Sequence, residues 1–300
     1  MSLLWIDGEL VDKAVARVSP FDHGFLYGDG VWEPLRVFGG RLFRPADHLA
    51  DLYAAAHAQH LVIPLTPGEL TAAIESTVRA DARTDGYVRV IISRGPGTIG
   101  PDPRKIDPQV VVIAEEYQPF PAELAAHGLH VVTTPDGSDG PSTARTLGQP
   151  HVVLAKAHAL RAGCLETIFV GHTGLLRGTT EGGMFLVTGD TVRPARPHYP
   201  DTHWRTVADM TGTHTKDAEM GEAGIADLLA ADEAFLVGTA CGVIAVVRVD
   251  GAGIGAGTEG PVTRRIREAY RRLTRDPDRM SAKEVGRDEP TSHPGADGLQ

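Results

Sequence analysis

Apolar positions recur along this chain with two periods, and the switch from one to the other marks out its elements. Leu3–Ile6 and Glu9–Val11 flank Asp7-Gly8, a pair that readily takes the positive φ angles of a tight turn, so the stretch predicts a hairpin. Val31–Phe38 and Arg41–Phe43 predict a second hairpin around Gly39-Gly40. Ala46–Gln59 repeats at helical spacing, with Leu49, Leu52, Tyr53 and Ala56 on one face. Thr66-Pro67-Gly68-Glu69 is a capping box with proline at the first helical position, and it opens a helix to Ala82. Tyr87–Ser93 and Gln109–Glu115 are β-branched runs of the kind found in central strands, joined by a Gly/Pro loop over Gly95–Pro108.

Two prolines in Gln118-Pro119-Phe120-Pro121 stop helix and sheet alike. Beyond them, Leu129–Thr134 reads as a strand, Asp136–Ser142 as a loop, and Pro150 as the first turn of a helix that Gly163 ends. Thr167–Gly171, Met184–Thr188, Ala234–Gly238 and Val243–Val249 predict strands, Asp250-Gly251 a turn, and Pro261–Leu273 the last helix. The expected organisation is an N-terminal α/β domain over 1–118, a linker over 119–128 and a C-terminal α/β domain over 129–275. Residues 276–300 are too poor in apolar side chains to pack and are expected to be disordered.

Composition narrows the setting. At 300 residues with 42% apolar content the chain can bury a large core, and no run is long and apolar enough to cross a bilayer. The first residues, MSLLWIDGEL, lack a basic flank, and Cys164 and Cys241 are too few for a disulfide framework. A cytoplasmic protein is expected. Net charge is 29 − 39 = −10, which argues against nucleic acid as a partner; the one basic cluster, Arg264–Arg272, reads as a solvated helix face. Gly24, Gly28 and Gly30 in Ser19–Gly30 imply backbone that bends sharply or approaches something closely, but their spacing makes no dinucleotide or P-loop pattern.

Four segments then carry a resemblance. SPFDHGFLYGDGVWEPLRVFGGRLFRPADHL, Tyr87-Val88-Arg89, Val153-Leu154-Ala155-Lys156, and Leu229–Ala240 with Gly260-Pro261-Val262-Thr263-Arg264 resemble, in order and separation, the fold-type IV pyridoxal phosphate (PLP) enzymes: branched-chain aminotransferase, D-amino acid transaminase and aminodeoxychorismate lyase. The resemblance spans roughly residues 1–273 and implies a two-domain α/β class IV aminotransferase-like (D-amino acid aminotransferase-like) fold and a homodimer. It also exposes departures in Thr143–Lys156, the stretch that presents the family's lysine. Eleven residues before Lys156, where the family carries its Schiff-base lysine, this chain has Arg145, whose guanidinium cannot supply a free amine. The family's phosphate arginine aligns with Asp51, its pyridine acid with Gly178, and its phosphate turn with Pro200-Asp201-Thr202-His203-Trp204; of the phosphate shell, Thr239 is retained.

These departures imply a cleft with no cofactor and no metal, used for PLP-independent general acid/base chemistry (elimination, isomerisation or cyclisation by a lyase, isomerase or cyclase) on a small biosynthetic substrate. Arg145, His203, His151 and Tyr27 are the expected catalytic groups, and Arg36, Arg89, Asp51, Gln149, Tyr199, Thr239, Ala240 and Cys241 the expected substrate contacts. Each has a plainer role open to it: Arg145 as a structural plug paired with Asp51 or Glu181, Arg89 in an internal ion pair, the histidines as hydrogen-bonded or surface groups, Cys241 as a small buried hydrophobe. Two other readings stand beside this one. One is a conventional PLP-dependent aminotransferase or lyase using Lys156, which the family register turns away from the site; the other is a non-catalytic homologue that binds a ligand or partner.

Overall fold

The computed structural model describes residues 3–102, 104, 107–136, 145–195, 197–213 and 222–276. In the first half the elements are β1 (Leu3–Ile6), β2 (Glu9–Asp12), α1 (His23–Tyr27), β3 (Gly30–Phe38), β4 (Arg41–Leu42), α2 (Pro45–Ala58), α3 (Pro67–Asp81), β5 (Gly86–Ser93) and β6 (Gln109–Glu115). They build a six-stranded sheet in the order β2-β1-β6-β5-β3-β4. The central place expected for β5 and β6 is borne out. Its two faces follow the period of two: Val31, Leu35, Val37, Val88, Val90, Ile92, Val110 and Val112 join α2 and α3 in one apolar core. The opposite face carries Trp32, Pro34, Tyr87, Arg89 and Ile91, which are left for a different task.

The second half contributes α4 (Leu124–His127), β7 (Leu129–Pro135), α5 (Pro150–Arg161), β8 (Glu166–Val170), β9 (Leu176–Thr179), β10 (Gly183–Thr188) and β11 (Thr191–Ala195). It continues through α6 (Thr202–Met210), α7 (Ile225–Ala230), β12 (Glu233–Gly238), β13 (Gly242–Val249), β14 (Ala252–Gly253) and α8 (Pro261–Leu273). Seven strands run in the order β11-β10-β12-β13-β7-β8-β9, with β14 paired to β13. Every residue of β12 is buried, because this sheet has a core on each side. Such strands read as continuous apolar runs, which is why β12 and β13 were plain in the sequence. α6 was not, since Thr202, His203 and Thr206 are buried on it with Trp204 and Val207 and blur the apolar period. α1 and α4 were missed because each is a turn or so long.

α8 has the bounds expected for it. Its buried positions Val262, Ile266 and Tyr270 recur every four residues, and Glu233 accepts from Val262 N at 3.0 Å and Thr263 N at 2.7 Å, capping its positive end. Most of the expected loop at 136–142 and tail at 276–300 lies outside the described residues. No described helix is long and apolar enough to cross a membrane.

Candidate active site

A cleft of about 1400 Å³ lies against the polar face of the first sheet. Its lining comes from β3 and β5, from Tyr27 and Phe25 on α1, from 145–149, from α5, and from Arg177, Glu181, Tyr199, Thr239 and Ala240. The segment after residue 144 is tied to the first sheet by backbone: Arg145 O accepts from Trp32 N at 3.0 Å, Thr146 O from Trp32 Nε1 at 3.1 Å, and Leu147 N donates to Gly30 O at 3.0 Å. This strap answers what the loop glycines approach. A Cβ at Gly28, where φ is +69°, would lie 2.6 Å from Gly148 Cα.

The strap fixes Arg145 within the cleft. Its Nη2 donates to Asp201 Oδ2 at 3.0 Å, and its guanidinium lies 5.2 Å from the Trp32 ring centre and 4.8 Å from that of Tyr199. Burial disfavours its charge, but Glu33 and Asp201 more than offset this and hold its pKa above the ordinary value. Asp201 is therefore the partner, in place of the expected Asp51 or Glu181. Asp201 also caps α6, its Oδ1 accepting from Trp204 N at 2.7 Å. Asp51 is turned elsewhere: its Oδ2 accepts from Arg205 Nη2 at 2.6 Å.

Several candidates meet in the cleft and others do not. Tyr27, Arg89, Gln149, His151, Tyr199, Thr239 and Ala240 line it with Arg145. His203 is withdrawn from the catalytic set. It is fully buried, hydrogen-bonded through Nδ1 to the Tyr270 hydroxyl and stacked on Phe43 at 5.0 Å; burial and the neighbouring His48 and arginines push its pKa well below the usual value. The physical reason is helix geometry, since position 203 on α6 turns toward α8 and away from the cavity. Asp51 is absent from the cleft lining for the reason just given, and Arg36 and Cys241 line a second cavity instead. Burial pushes the Cys241 thiol well up, so it is no thiolate nucleophile.

The expectation that Lys156 faces away is also corrected. Val153, Lys156, Ala157 and Leu160 recur at spacings of three and four on α5 and form its cleft-facing stripe, while Ala155 and Ala159 pack inward. The Lys156 side chain is 28% exposed, and its Nζ lies 3.8 Å from Glu181 Oε1 and 3.9 Å from Glu166 Oε2 with no hydrogen-bond partner among the described residues. Glu181 accepts from the Tyr117 hydroxyl at 2.9 Å. Glu166 is buried; its Oε1 accepts from Thr167 N at 2.7 Å and Thr180 Oγ1 at 2.7 Å, leaving Oε2 toward the lysine. Burial, partly offset by Lys156 and these donors, raises its pKa to about 7. Trp32, Arg177 and Glu166 were missed as site residues. The alternation of β3 pointed to Trp32, which shares a face with Pro34 and Arg36, whereas nothing local marks Arg177 or Glu166.

Two sheets flank a cleft lined by arginines, with a partly buried lysine beside two carboxylates, in an α/β protein with a candidate active site. Residues 30–249 match the model of the amino-transferase class IV family, and the chain belongs to that family. It is 31% identical over 278 residues to a Methanocaldococcus jannaschii protein provisionally assigned as a branched-chain-amino-acid aminotransferase, covering 89% of this chain and 95% of that one. It is 29% identical to the D-alanine aminotransferase of Bacillus licheniformis, covering 88% and 94%. A solved branched-chain amino acid aminotransferase from T.th., crystallised with pyridoxamine 5'-phosphate, superposes with a TM-score of 0.81 at 26% identity, over 93% of this chain and 96% of that one. The resemblance read from the sequence, and the two-domain class IV fold, are borne out. The cofactor-free expectation is overturned: a relative of this fold holds a vitamin B6 cofactor and the others are aminotransferases by name, so the comparisons point to PLP and not to an empty cleft.

Two outcomes test this electrostatic arrangement. Arg145→Met should cost about 3 kcal/mol by stranding Asp201, and the added Asp201→Asn should recover much of that in a double-mutant cycle read by chemical denaturation; additive losses would show that the pair is not coupled. Glu166, raised from 4.5 to about 7, favours the folded state when protonated. Its contribution is full below pH 4.5 and is lost as pH rises through about 7, on the order of 3 kcal/mol in all. Glu166→Gln should flatten that decline in a pH series of thermal midpoints.

Proposed function

We propose that the chain is a PLP-dependent enzyme of the class IV aminotransferase type, acting on a small amino or oxo acid, with Lys156 as the amine that receives the cofactor's aldehyde. One observation carries the reading. Lys156 is the only lysine lining the cleft among the described residues, and its buried Nζ has no hydrogen-bond partner. Two further atoms fit the rest of the group: Arg177 Nε and Thr239 Oγ1 are buried, without hydrogen-bond partners among the described residues, on residues that line the same cavity. With Arg89 they supply donors for a phosphate and a substrate carboxylate. Arg145, locked to Asp201, serves as a fixed cation that helps hold an anionic ligand, and the amine's role passes to Lys156.

When bound, the cofactor supplies an aldehyde and a ring that draws electron density from the substrate's α-carbon. The protein's own part is protonic and steric. Lys156 reacts only as the neutral amine, and Glu166 Oε2 and Glu181 Oε1, at 3.9 and 3.8 Å, are placed to take and return the proton at Nζ. The Tyr117 hydroxyl, which donates to Glu181, keeps that carboxylate oriented toward the lysine. Burial pushes the Tyr199 phenol up, so it stays a neutral hydrogen-bonding wall beside Arg145. Tyr27 and Phe25 stand at the mouth and limit water once a substrate enters.

Incubation with PLP should give a visible absorbance band, and borohydride should convert it to a stable adduct that peptide mass spectrometry finds on Lys156. Lys156→Ala should lose the adduct while keeping its thermal midpoint. An uncoloured protein, or an adduct on another lysine, would sink the assignment. The same reading carries a homodimer and a cytoplasmic setting. Phe25, Val153 and Leu160 at the cleft mouth are 74%, 69% and 56% exposed, apolar surface that a second copy would cover. Light scattering should therefore give twice the chain's mass, and a monomer at micromolar concentration would refute the pairing.

A further inference from the structure

Behind the turn that bounds the cleft lies a second cavity of about 460 Å³, between β3, the stretch following β6, and α8. Arg267, Arg271 and Arg275 line it at intervals of four along α8 and its last turn, so one helical stripe faces the space. Arg267 is neutralised, its Nε and Nη2 donating to Glu259 at 2.7 and 2.8 Å. Arg271 and Arg275 form no ion pair among the described residues. From the facing strand Arg36 adds a third guanidinium, which among the described residues donates to the Tyr117 carbonyl, at 3.2 Å. Of the two acids on the lining, Asp85 accepts from Gly39 N at 3.1 Å and Glu116 belongs to the exposed rim.

Burial, then Arg267 and Arg275, lowers the pKa of the Arg271 guanidinium, and Glu259 and Glu268 offset this in part. Arg36, Arg271 and Arg275 around a space with room for a small molecule describe a receptor for an oxyanion.

We propose that this second cavity is a binding site for a small phosphate-bearing molecule, held by Arg36, Arg271 and Arg275. The site stands apart from the cofactor reading, since none of its three arginines lines the cleft; Tyr117, Thr239 and Ala240 form a wall common to both cavities.

Calorimetric titration of the full chain with inorganic pyrophosphate at about 0.15 M salt tests it. Wild type should bind saturably, and Arg271→Ala/Arg275→Ala should bind about tenfold more weakly or worse. Lys156→Ala should bind as wild type does. Absence of saturable binding, an unchanged affinity in the double variant, or a loss in Lys156→Ala would each overturn the assignment. The Lys156→Ala titration also separates the two proposals, because it deletes the cofactor's amine and leaves this cavity intact.

Discussion

A permanently charged guanidinium cannot be left unpaired in a protein interior, and the pairing of Arg145 with Asp201 meets that constraint at the point where the two halves of the chain are joined. Arg145 is delivered by the strap whose backbone pairs with the start of β3. Asp201 is delivered by the second sheet's helix α6, which it caps. One ion pair therefore ties a strand of the first sheet to a helix of the second and forms one side of the cleft. The side chains stacked about it, Trp32 and Tyr199, exclude water and strengthen the attraction by lowering the local dielectric.

The far side of the cleft answers with the opposite balance of charge. There a single lysine faces two carboxylates, one of them poised near neutrality because burial resists its ionisation. A buried carboxyl group poised near neutrality beside an amine suits acid/base work; a guanidinium locked to a carboxylate does not. The division of labour between a fixed cation and a titratable pair follows from the chemistry of arginine and lysine, and it is why Lys156, not Arg145, is the group to which a reactive amine is assigned.

Much of the architecture was readable before any coordinates. The Asp7-Gly8 turn, the capping box at Thr66, the apolar runs of β5, β6, β12 and β13, and the bounds of α8 all express local preferences that the tertiary structure leaves intact. The site was legible in part. Tyr27, Arg89, Arg145, Gln149, His151, Tyr199, Thr239 and Ala240 do gather in one cavity, whereas His203, Asp51, Arg36 and Cys241 sit elsewhere. Register against a family shows which residue occupies a position, but it does not show how a helix is rotated about its axis once its neighbours change. His203 and Lys156 both fell to that rotation, in opposite directions.

The sequence by itself determined the class of fold and the place of its principal strands and helices. Those properties depend on residues close along the chain, or on their order, and need no knowledge of contacts. Only the tertiary structure decided which acid neutralises Arg145, which way Lys156 points, and that Glu166 lies against it with an unpaired oxygen. These are relations between residues ten to fifty-six positions apart, set by how helices are turned against sheets and by the cost of leaving charge unmatched out of water.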